Sequence, residues 1–230
     1  MTVLHLADEG EAADLAAFLS RLLHYDRGAA VRLQAAGTAL AVFGRPPSFE
    51  VLAIRAVRLA KPYENGLDVT LDATVSAGEL LESVDESAAT AVVPAPVTGP
   101  PWAGVLPPRG GWRRETGLPA PRELRAMVGT AVAEFRSRTG ELAPERRTRS
   151  ELDRIGREIW SRTVADTRLP VRAVHAAQSL GFLRGRGDAH PSDDAPLGLF
   201  SSGAWLRLRT PYGSIAVRRA GLGALDVSVR

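Results

Sequence analysis

The side chains best suited to hold a ligand lie between residues 168 and 219. Val171, Val174, Ala177 and Leu180 share the inward face of a helix expected over Pro170 to Leu180, with proline in its first turn. That phase turns Arg172, His175 and Gln178 or Ser179 outward, with Arg168 upstream and Arg184 and Arg186 downstream. Arg207, Arg209, Arg218 and Arg219 follow on a β-hairpin. Guanidinium, imidazole and carboxamide groups in this arrangement suit phosphates and base edges, so the chemistry they point to is contact with DNA or another anion. The competing expectation is an ordinary helical domain with a hairpin and solvated arginines, since the pattern has no invariant chemistry.

These side chains need a frame, and the order of elements around them supplies one. Leu124, Met127, Val128, Ala131, Val132 and Phe135 form the apolar stripe of a helix from about Pro121 to Arg138. Ser150 is placed to cap a second helix carrying Leu152, Ile155, Ile159 and Trp160. The Pro170–Leu180 helix comes third and ends at Gly181. A polar loop over 185–196 leads to strands at Leu197–Phe200, Trp205–Leu208 and Ser214–Val217. Three helices followed by a β-hairpin is the order of a winged helix-turn-helix, with the third helix as the recognition helix.

The first part of the chain reads as α+β. A short strand at 2–6 precedes a helix from Glu11 whose stripe is Leu15, Phe18, Leu19, Leu22 and Leu23, ending at Asp26 and Gly28. Strands are expected at Val31–Gln34, Thr38–Phe43, Phe49–Leu59 and Leu67–Asp72. Ser76 and Glu79 form a capping box that opens a short helix to Val84. The result is an antiparallel sheet with two helices.

Residues 88–120 join the two parts and are crowded with proline and glycine. The chain therefore divides into 1–87, a connector at 88–120, and 121–230. Trp102, Arg109 and Trp112 sit in the connector, and two tryptophans in such a segment favour packing across a surface. Their expected role is a clamp between the two parts, set against a binding surface. The string from Trp102 to Trp112 has the pattern W-x-G-x-x-P-P-R-x-G-W and resembles a segment of a family of actinobacterial proteins. The resemblance extends to the leucine-rich first helix and to Gly203–Leu208. It implies a source and a cytoplasmic compartment, and no activity.

Charge is divided between the parts. Residues 1–100 carry 7 basic and 13 acidic side chains, and residues 101–230 carry 22 and 13. This asymmetry points to an anionic partner for the second part, or to docking of the parts within or between chains, which allows a homo-oligomer. Arginine outnumbers lysine 28 to 1, a compositional habit that weakens the inference from charge alone. The absence of cysteine removes disulfides, thiolate metal sites and a cysteine nucleophile, and fits a reducing cytoplasm. No apolar run reaches the roughly 18 residues of a membrane span, and the acidic N-terminus does not resemble a secretory signal. His190 with Asp188, Asp193 and Asp194 reads as a solvated loop rather than a cation site. No phosphate-loop, dinucleotide, nucleophile-elbow or zinc-protease string occurs, so no catalytic residue, cofactor or metal is expected. The leading expectation is a non-enzymatic binding or regulatory protein that contacts DNA, and the alternative is a protein-interaction module.

Overall fold

The computed structural model describes residues 2–60, 71–102, 105–184 and 197–219. Within these, the elements run β1 (Val3–His5), α1 (Glu9–Tyr25), β2 (Ala30–Ala36), β3 (Ala39–Gly44), β4 (Leu52–Arg58), β5 (Leu71–Ser76), α2 (Ala77–Glu82) and β6 (Thr90–Val92). They continue with β7 (Arg113–Glu115), α3 (Pro121–Gly140), α4 (Arg149–Trp160), α5 (Val171–Ser179), β8 (Gly198–Ser202), β9 (Trp205–Thr210) and β10 (Gly213–Arg218). The protein is thus mixed α+β. Positions 67–70 of the strand expected at Leu67–Asp72, the 185–196 loop with Arg186 and His190, and the tail from Gly221 lie outside the described residues.

Local chemistry sets the helix starts. Asp8 caps α1 by accepting from the Glu11 amide at 2.9 Å. Ala12, Leu15, Phe18, Leu19 and Leu22 then bury one stripe. Ser76 caps α2 by accepting from the Glu79 amide. Thr148, two residues ahead of the expected Ser150, caps α4 through the Glu151 amide.

Eight strands form one antiparallel sheet in the order β5-β2-β3-β4-β10-β9-β8-β7, and β1 pairs separately with β6. The decisive junction is β4 with β10, where Ser214 faces Ile54, Ile215 faces Ala53 and Ala216 faces Leu52. The C-terminal strands therefore do not stand as a free wing. The physical reason lies in β10, whose residues Gly213 to Val217 are all buried. A strand apolar on both faces must be covered on both and flanked by neighbours, which a terminal hairpin on a winged helix does not provide.

One face of the sheet carries the main core. Leu33, Val42, Ala53, Val57, Leu206, Leu208, Ile215 and Val217 pack there with α1, α3 and α5. Phe18 of α1 stacks on Phe182, just after α5, with ring centroids 5.7 Å apart. Close approach requires glycine at 213, because a Cβ there would lie 2.6 Å from the Phe182 ring. The opposite face carries a second, smaller cluster of Phe43, Leu52, Ile54, Trp102, Trp205 and Ala216, with Val105, Leu106 and Trp112 at its margin. The Pro/Gly/Trp segment thus lies over β3, β4, β10 and β9, strands drawn from both parts of the chain. Burying a side chain the size of Trp102 removes roughly 200 Å² from water, about 5 kcal/mol before ordering entropy is charged against it. Among the described residues its indole N–H has no acceptor, which subtracts about 1–3 kcal/mol.

Candidate functional site

The third helix of the C-terminal part is not an exposed recognition helix. Val171, Ala173, Val174, Ala176 and Ala177 of α5 are buried. His175 stacks on Trp160 at 4.5 Å and meets Phe49 edge-on at 5.0 Å. Burial pushes the His175 imidazole below its ordinary pKa, so it is neutral at pH 7 and carries no charge for a phosphate. Arg172 is half-buried, with its Nε 3.9 Å from Glu50. Arg184 donates to Asp14 at 2.7 Å and to the Gly181 carbonyl, and its guanidinium lies 4.0 Å from the centre of the Tyr212 ring. Arg168 and Gln178 are exposed, and Arg186 lies outside the described residues.

Strand alternation also separates the helix from the hairpin arginines. Leu206, Leu208, Ile215 and Val217 face the core that α5 covers. Trp205 and Ala216 face the opposite cluster, so Arg207 and Arg209 on β9 and Arg218 on β10 project on that side with them. A recognition helix and a wing must approach a duplex from one side. Here the two sets point to opposite faces of the sheet.

Many arginines of the second part are engaged by carboxylates. Between α3 and α4, Arg138 donates to Glu158 at 2.7 and 2.8 Å and Arg162 donates to Glu134 at 2.8 Å. Arg154 grips Glu151 at 2.7 and 2.9 Å. Asp8, Glu11 and Asp14, spaced by three at the start of α1, meet Arg58 and Arg55 of the first part, and Asp14 also meets Arg184 of the second. Arg55 Nη2 lies 2.8 Å from Glu11 and 3.2 Å from Asp14, while its Nη1 donates to the Tyr212 carbonyl at 2.9 Å. Arg58 bonds Glu11 at 2.8 Å and Asp8 at 3.0 Å. Arg55 is buried, and the apolar run around it concealed it from sequence reasoning. The available signal was the Glu11/Asp14 spacing, one helical turn of acid opposite a strand arginine.

On the open sheet face, Arg207 and Arg209 are not so engaged. Arg207 and Arg209, two positions apart on β9, line a concavity of about 260 Å³ with Ala56, Trp112, Phe200 and Ser214, closed at one end by the Thr210–Gly213 turn. Among the described residues no carboxylate lies within ion-pair distance of either. Burial, and then the charge of Arg209, push the Arg207 pKa below its ordinary value. Its Nε is buried without an acceptor among the described residues. Arg207 stands opposite Phe200, which in turn stands opposite Arg114 on β7. Trp112 donates its indole N–H to the Pro108 carbonyl at 3.0 Å, and the Arg207 guanidinium lies 5.9 Å from the centre of its ring.

The remaining predicted residues lie outside the lining of this concavity. Arg218 lies over the Trp205 ring at 5.0 Å, and Arg219 is 3.8 Å from Glu115. Arg109 is exposed, and its charge adds to the hydrogen bonds from Arg32 and Gln34 that hold Asp72 below the usual carboxylate range. Among the described residues no group of three or more His, Asp or Glu side chains could hold a metal, and no helix is long and apolar enough to cross a membrane.

Fold and site define a two-region α+β protein whose regions share one antiparallel sheet. Residues 107–222 match the family described as a domain of unknown function, DUF8185, and the chain belongs to that family. Residues 1–104 match a second domain of unknown function, DUF8010. No curated protein and no solved structure matches the chain.

Proposed function

We propose that this protein is a non-enzymatic binding protein that captures an anion, DNA in its polymeric form, on the open face of the eight-stranded sheet. The observation that carries this reading is the pair Arg207 and Arg209. They share one strand face and a concavity, and no described carboxylate neutralises them. A half-buried guanidinium such as that of Arg207, with a buried and unsatisfied Nε, gains most from an anion that replaces lost water. Binding rather than catalysis fits the lining. Guanidinium groups stay protonated and transfer no protons, and the Thr210 hydroxyl is already occupied, donating to the Gly213 carbonyl and accepting from the Tyr212 amide. Trp102, Arg109 and Trp112 act in this reading as the clamp that holds the two parts of the sheet in register. The absence of cysteine supports a cytoplasmic setting.

The docking of acidic on basic parts has its own support in the Arg184–Asp14 pair and in Arg172 beside Glu50, and the Arg55 bond to the Tyr212 carbonyl adds a further contact between the parts. Those contacts hold the chain together and leave Arg207 and Arg209 over for a ligand.

The test is an electrophoretic shift with a short DNA at about 50 mM salt and micromolar protein, where non-specific affinity is measurable. Wild type should bind. Arg207→Ala/Arg209→Ala should lose binding, and Arg172→Ala should retain it. Absence of a shift, or a shift that survives the double substitution, rejects the reading.

A further inference from the structure

We infer that the ligand at this site is an unstacked nucleotide, its phosphate on Arg207 and Arg209 and its base on Trp112. This deepens the anion-binding reading and rests on it. Three features of the concavity select the ligand.

The first is size. A space of about 260 Å³ admits one nucleotide and is far narrower than a duplex. A duplex could touch the rim through its phosphates but would leave the interior empty.

The second is aromatic surface next to charge. Trp112 and Phe200 both line the concavity that holds the two guanidinium groups. A ligand that is only a phosphate would use the arginines and leave these rings in water. A base offers a flat, weakly hydrated face to them, and stacking of this kind is worth about 1–3 kcal/mol per base, roughly 5- to 150-fold in affinity. Bases inside a duplex are already stacked and present no such face.

The third is preorganisation. Trp112 is fixed by its indole bond to the Pro108 carbonyl. Arg207, 5.9 Å from the ring centre, is near the outer limit of a cation–π contact, so the ring face is not saturated by its own chain. Phe200 lies against Gly198, where a Cβ would come within 2.8 Å of the ring. That glycine lets the phenyl ring settle across the strand rather than stand up from it. Rings held in place before binding lose little entropy when a base arrives. Arg114, paired opposite Phe200, extends the basic border toward the sheet edge, where the next phosphate of a strand would run.

The test compares four probes on the full chain: a short single-stranded DNA, the duplex of the same sequence, adenosine monophosphate and inorganic phosphate. Affinities are read by anisotropy or competition, and tryptophan emission is recorded throughout. The single strand should bind at least about fivefold tighter than the duplex, with quenching of tryptophan emission. Trp112→Leu should remove that preference and the quenching while retaining phosphate-dependent binding. Should Trp112→Leu unfold, Arg207→Lys serves instead, since it keeps the charge, loses the planar fork and should weaken single-strand and nucleotide binding together. Adenosine monophosphate binding tighter than inorganic phosphate, with no further gain for the strand, identifies a free nucleotide as the source of the same chemistry. Equal affinity for single strand and duplex, with the nucleotide no better than phosphate, overturns the nucleotide inference and leaves the anion site standing. No binding by any probe overturns both.

Discussion

Replacing Arg55 by methionine tests how the two parts are held together. The change removes a buried guanidinium that bonds Glu11, lies within 3.2 Å of Asp14 and donates to the Tyr212 carbonyl. Methionine has similar length and enters an apolar environment, so the lost interactions dominate the lost volume. Breaking a buried pair by removing one partner costs about 3–5 kcal/mol, because the other charge is left uncompensated. Here Glu11 keeps Arg58 and Asp14 keeps Arg184, which places the expected loss at the lower end, about 3 kcal/mol. That is a large share of the roughly 5–15 kcal/mol that stabilises a typical fold. Urea unfolding followed by tryptophan emission would show it as a lower midpoint. The double variant Arg55→Met/Glu11→Leu should recover part of the loss, since the buried carboxylate that lost one of its two arginines goes with it, although Arg58 then keeps only Asp8. A loss below about 1 kcal/mol for Arg55→Met would refute the reasoning, because it would mean the network contributes no more than a surface pair.

Two further predictions concern the seat of α5 on the sheet. Gly213→Ala should destabilise by about 1–3 kcal/mol in chemical denaturation, because the added methyl enters the space of the Phe182 ring; trimming the ring with Phe182→Leu should relieve part of the effect, and an unchanged midpoint for Gly213→Ala would contradict the contact. His175 has its pKa depressed by burial between Trp160 and Phe49, so below its unfolded value of about 6.5 the unfolded chain binds the proton first and stability falls with pH until the lower folded pKa is passed. Above that value the penalty is absent, and His175→Phe should flatten the slope between pH 7 and the folded pKa; equal slopes in variant and wild type would show that His175 does not cause it.

Much of the secondary structure was legible in the residues because its causes are local. The α1 stripe, the Ser76 cap and the strands at β2, β3, β9 and β10 follow from periodicity and turn chemistry. The association of β10 with β4 was not legible, since strand pairing across more than 150 residues leaves no local trace. The burial of Ser214 to Val217 on both faces of β10 emerges only from the fold. The site was half legible. Arg207, Arg209 and Trp112 were all named from the sequence, but as parts of separate features, a wing and a clamp. Phe200, Ala56 and Ser214, which complete the concavity, carried no chemical signal of their own.

The sequence by itself determined most of the helices and strands, though not β6 and β7 within the proline-rich segment, and that charge is divided along the chain. Tertiary structure decided what those charges do. Arg172 and Arg184 are positioned to meet Glu50 and Asp14 of the first part, and Arg138, Arg154 and Arg162 to meet carboxylates on α3 and α4, so part of the apparent basic face is neutralised internally. Coulomb energy depends on distance and burial, neither of which composition records. Arg207 and Arg209 stand apart because alternation on β9 turns them to the side of the sheet away from α1 and its carboxylates.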